Sequence, residues 1–152
     1  MSDGVLTAAQ HSLDYVQTPI DDLYSFYYTM QWAAVFHDQE FAAKDIPIEL
    51  KLLRDSLLGT QNDRFFTTNR ITDMDPPLQS HEYGSFLAKC QPLLRAWYFE
   101  LQGIRADWRG CQAELKGQET KAEIYIPLFL TFAGRGVAKL AELVHVCTEN
   151  MD

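Results

Sequence analysis

Cysteine is scarce in this sequence and shows no pairing pattern. Cys90, Cys111 and Cys147 form an odd set with no CxxC spacing. In a chain long enough to bury its own core, they read as small buried hydrophobes in a reducing compartment. Long apolar runs are also missing. The most apolar window, residues 124–133, is short and interrupted by Pro127, so no bilayer-spanning helix is expected. The first residues, Met1-Ser2-Asp3-Gly4, carry neither the basic residues nor the apolar stretch of a secretory signal. A cytoplasmic location is therefore expected. Basic residues are in deficit, 13 against 21 acidic, for a net charge of −8. Phosphate backbones and anionic lipid both require a basic footprint, so neither nucleic acid nor a membrane is an expected partner.

What remains is globular in character. A chain of 152 residues, 47% hydrophobic and 22% charged, fits a single domain over residues 1–152. Its acidity is concentrated early, with nine acids and three bases in residues 1–57.

Periodicity predicts a mostly α fold, a single-domain bundle of five or six helices. Helix-forming composition over residues 7–15 ends before Thr18-Pro19. Asp21 and Asp22 then open a helix over 21–43, whose Leu23, Phe26, Tyr27, Met30, Ala34, His37 and Phe41 recur at three and four residues. Tyr24, Tyr28, Trp32 and Val35 make its other side apolar as well, the pattern of a central or shared helix. A further helix starts near Pro47, with Ile48, Leu52, Leu53 and Leu57 as its stripe and Gly59 as C-cap. Residues 59–79 read as a polar loop. Within it, Phe65, Phe66, Thr67, Thr68 and Ile71 have strand composition. Ser80 caps a long helix in which Pro92 predicts a kink or a restart near Gln91. Ile124, Ile126, Leu128 and Leu130 alternate as in a strand, so a two-stranded β ribbon from residues 64–72 and 123–131 is the alternative there. Gly134-Arg135-Gly136 reads as the turn before a final helix.

Chemistry-bearing patterns are few. Glu142 and His145 stand at ExxH spacing, and His37 lies on another helix. A di-iron bundle needs two such motifs and two further glutamates, so no cofactor is expected. GxSxG, Walker and dinucleotide fingerprints are absent, and an enzyme is not expected. The acidic residues Asp14, Asp21, Asp22, Asp38 and Glu40 flank Tyr24, Tyr28 and Trp32. Tyrosine and tryptophan are favoured interface anchors, and an acidic field speeds encounter with a basic surface. The same aromatics also suit a core. The sequence thus predicts a protein-binding module, of the inhibitor or immunity type, that covers a basic protein partner. A homodimeric scaffold built on the doubly apolar helix is the alternative, and a metal- or small-molecule-binding bundle the third.

Overall fold

The computed structural model describes residues 17–37, 41, 45–73, 77–115 and 122–149. Among these residues every regular element is a helix: α1 Pro19–Val35, α2 Ile48–Leu58, α3 Gln61–Thr72, α4 Ser80–Tyr83, α5 Ser85–Glu114 and α6 Ala122–Glu149. The stretch predicted helical over residues 7–15 lies outside the described residues.

Two helices open with the same device. Thr18 precedes α1 and Thr60 precedes α3, each three residues before an aspartate. The Asp21 carboxylate accepts from the Thr18 backbone N–H (2.8 Å) and hydroxyl (2.7 Å), and the Asp21 N–H reaches back to the Thr18 hydroxyl (3.4 Å). Asp63 and Thr60 repeat this arrangement. Such a capping box satisfies donors that a helix start leaves orphaned, and Pro19 fits because the first helical N–H needs no partner.

The box at Thr60 explains the main departure from expectation. Residues 64–72 belong to α3 and not to a strand. Thr67, Thr68, Ile71 and Thr72 are buried at helical spacing, while Phe65 and Phe66 face outward. The Thr68 hydroxyl donates to the Arg64 carbonyl (3.2 Å), and that of Thr72 donates to the Thr68 carbonyl (2.9 Å). Polar threonines are thereby satisfied on a buried helical face, which overrides their preference for strands.

Residues 123–131 are helical too, so the β ribbon does not form. α6 runs unbroken through Pro127 and through Gly134-Arg135-Gly136, which is not a turn. Both Pro127 and Pro92 lie on exposed helix faces, where water can meet the carbonyl each one orphans. The long helix expected after Ser80 is instead divided at Gly84, whose φ of 84° is in the left-handed region. Pro92 lies inside α5 without ending it.

The chain forms two compact units. One takes α1 as far as Tyr28 together with Trp97–Val146, and the other takes Thr29–Ala96 with the end of α6 from Cys147.

In the first unit, Tyr24, Tyr27, Tyr28 and Tyr98 form a cluster with ring centroids 5.3–6.5 Å apart. Trp108 meets Phe132 edge-on at 5.2 Å and Tyr125 at 6.0 Å, joining α5 to α6. Gly136 lets α6 close on α1, because a Cβ there would overlap the Leu23 side chain.

In the second unit, α2 packs on α3 and α4 through buried Leu50, Leu53 and Leu57. Ile48 and Leu52, expected in that stripe, are exposed. The buried Gln91 side chain accepts from the Leu78 N–H (2.8 Å) and donates to the Ile71 carbonyl (3.1 Å). Arg70 donates twice to the hydroxyl of buried Tyr83, at 3.1 and 2.7 Å.

Candidate interaction surface

The acidic and aromatic residues expected to meet a partner separate into different environments. Asp14, Asp38 and Glu40 lie outside the described residues. Asp21 is buried, its carboxylate engaged in the α1 capping box. Asp22 accepts from the Gln17 side chain at 2.5 Å. Tyr24 is buried and Tyr28 half-buried in the tyrosine cluster, and the Arg105 guanidinium lies 5.8 Å over the Tyr24 ring. These rings form part of a core.

Trp32 is exposed and stacks on Phe36, with centroids 4.3 Å apart. α1 ends at Val35, before the predicted residue 43, and its end is held from outside. Arg54 of α2 donates to the Val35 carbonyl (2.9 Å) and the His37 carbonyl (3.2 Å), with its guanidinium 5.5 Å over the Phe36 ring. α1 has no basic residue in its last turn, so Arg54 supplies the cation that this end of a helix favours. An open groove of about 610 Å³ adjoins it, lined by Phe36, Ile48, Lys51, Arg54 and Leu58 among others. Among the described residues, no histidine, cysteine or serine lines this groove.

Among the described residues the metal candidates are not brought together. His37 lies flat on Phe86, with ring centroids 4.0 Å apart. Glu142 is exposed and accepts from Lys139 at 3.0 Å, and His145 is exposed one turn on. Among the described residues no group of three histidine, cysteine, aspartate or glutamate side chains could hold a metal ion. The cysteines are half-buried free thiols, less enclosed than expected, and burial pushes the Cys90 thiol up, away from the reactive thiolate.

No protein-family model, curated protein or solved structure matches this chain.

One exposed apolar surface lies outside every sequence expectation. The inward face of α6 carries Tyr125, Phe132 and Gly136, already described. Its outward face is just as apolar: Ile126 is 54% exposed, Leu130 64%, Val137 55% and Val144 39%. Pro127, Thr131, Gly134, Ala138 and Ala141 complete this face, all exposed and none charged. The charged residues of mid-helix lie to one side. Arg135 pairs with Asp107 of α5 at 2.5 Å, and Lys139 with Glu100 of α5 at 3.7 Å. The Glu142 hydrogen bond and the nearby Glu100 charge hold the Lys139 ammonium above its usual range.

By length and composition alone α6 could cross a membrane. Its best 18-residue window has a mean hydropathy of 1.3, and only 11% of that window is buried. The expectation of no bilayer-spanning helix rests on the short window 124–133 and on Pro127 within it. Continuity of the helix through Pro127 and Gly134 is what creates the longer segment. The signal was present in the sequence, since Leu130, Val137 and Val144 step by seven on the side opposite Phe132 and Gly136.

Proposed function

We propose that this chain acts by associating with another protein chain through the outward face of α6. The observation that carries this reading is a 28-residue helix, apolar on both sides, with only its inward side covered. Contiguous apolar surface of this kind, bordered by charged residues, is characteristic of an interaction site. The reading keeps the protein-binding class expected from the sequence and moves its centre from the acidic start of the chain to α6. The narrower inhibitor or immunity-type reading rests on the other acidic groups of the chain, since Asp21 is committed to holding Thr18.

The net charge of −8 still favours a basic partner wherever the association has an electrostatic part. Asp22→Lys would test that part, whereas Asp21→Lys would first disrupt the α1 cap. The reading as a whole is tested by placing a photo-cross-linking amino acid at Leu130 in living cells, with exposed Lys89 as the control position. A discrete protein adduct from position 130 alone is expected. Lipid adducts, or no adduct above the control, would refute it.

A further inference from the structure

Resting on that reading, we infer that the partner of α6 is a second copy of this chain, packed antiparallel along the same helix. Pro127, Leu130, Gly134, Val137, Ala141 and Val144 follow one another at steps of three and four. That is the spacing with which one helix seats side chains in the gaps of another.

Their sizes alternate in a way that complements itself. About a two-fold axis between Gly134 and Val137, Leu130 lies opposite the partner's Ala141, and Gly134 opposite the partner's Val137. Leu130 and Val137 then each meet a small residue, in both directions, and Val144 lies opposite the partner's Pro127. A parallel pair would place Leu130 against the partner's Leu130 and Gly134 against the partner's Gly134, which pinches the helices apart at one level and leaves a gap at the next. Antiparallel macrodipoles also oppose favourably.

Gly134 has a specific place in this arrangement. A Cβ built on Gly136 would collide with Leu23, so that glycine is required within the chain. A Cβ on Gly134 would meet nothing within 4 Å. Glycine weakens a helix interior, and a closely approaching helix is what its missing side chain accommodates.

The area is sufficient for modest affinity. From Pro127 to Val144 the stripe runs about 26 Å, and two helices pairing along it bury on the order of 1,000 Å² in total, the lower bound for a specific interface. A bilayer fits less well. Arg135 and Lys139 stand mid-helix in ion pairs with α5, and the acidic excess of the chain repels anionic lipid.

Sedimentation velocity of the full chain over concentrations from about 10 μM to 1 mM decides the matter, because a minimal interface of this size associates in the micromolar range or more weakly. The expected result is a monomer–dimer equilibrium that Leu130→Glu and Val137→Glu each weaken at least tenfold while far-UV circular dichroism stays unchanged. Gly134→Leu should raise the melting temperature of the monomer and also weaken the dimer, two effects of opposite sense that a general folding defect would not produce.

A monomer at every concentration overturns the pairing. So does a dimer indifferent to all three substitutions. In the first case, co-sedimentation with neutral phosphatidylcholine vesicles, lost in Leu130→Glu, would overturn the protein-association reading as well. A monomer that ignores vesicles would leave that broader reading standing on its cross-linking test.

Discussion

At the scale of single residues, the side chains with the clearest roles are polar ones that close the ends of helices. Asp63 accepts two hydrogen bonds from Thr60, hydroxyl and backbone N–H, and these hold its carboxyl below the usual carboxylate value. The folded value is the lower one, so the contribution of this cap is complete above the ordinary carboxylate range. It is lost as pH falls through the folded value. Thr60→Ala should therefore raise the Asp63 titration midpoint, followed by carboxyl-carbon NMR, towards that of an unstructured peptide. The stability difference from the parent chain should narrow in acid. Gly59→Ala should behave in the same way. Gly59 has an ordinary φ of −82°, but an added Cβ would press on the Asp63 carboxylate.

Gln91 is the buried counterpart of these caps. Replacing it with leucine strands the Leu78 N–H and the Ile71 carbonyl, and each buried orphan costs about 1–3 kcal/mol. Urea unfolding of Gln91→Leu should show a loss of about 2–6 kcal/mol.

At the scale of elements, glycine breaks a helix here where proline does not. Gly84 holds a backbone conformation nearly closed to other residues, so Gly84→Ala should destabilise the chain by about 1–3 kcal/mol. Pro92 is carried by the packing on either side of it, with Leu87, Leu94, Leu101 and Trp108 buried at seven-residue intervals along α5. Pro92→Ala restores the missing hydrogen bond on an exposed face and should stabilise by roughly 1–3 kcal/mol. Calorimetry of the two variants should give shifts of opposite sign.

The same elements mark what could be read in advance. The long helix after Ser80 was legible because residues such as Trp97, Leu101, Ile104 and Trp108, all buried, recur at helical spacing, a strong periodic signal. α3 was not, since threonine and phenylalanine carry strand preference and only the Thr60–Asp63 box and the hydroxyl hydrogen bonds reveal the helix. α6 was obscured because a helix apolar on both sides contains alternating residues as well as helical ones. The tyrosines at the start of α1 suit core and surface equally by sequence, and it is their meeting with Tyr98 that divides them.

At the scale of the whole molecule, net charge separates two kinds of partner. Two copies each carrying −8 repel, and salt screens repulsion within a Debye length of about 8 Å at physiological ionic strength. Self-association through α6 should strengthen on going from low to moderate salt. Capture by a basic partner should weaken over the same range. Dimer affinity at two ionic strengths, measured on the same preparation, distinguishes them by sign.

Arg54 carries a different consequence. The last turn of α1 is completed by a side chain from α2, so Arg54 ties the backbone on either side of Phe36 to a neighbouring helix. Arg54 is in this sense a latch on a cleavage site. A brief chymotrypsin digest of Arg54→Ala should produce an early cut after Phe36 that the parent chain resists, well below the temperature at which either protein melts. Lysine in its place, with a single point of attachment and no planar fork, should give only partial protection.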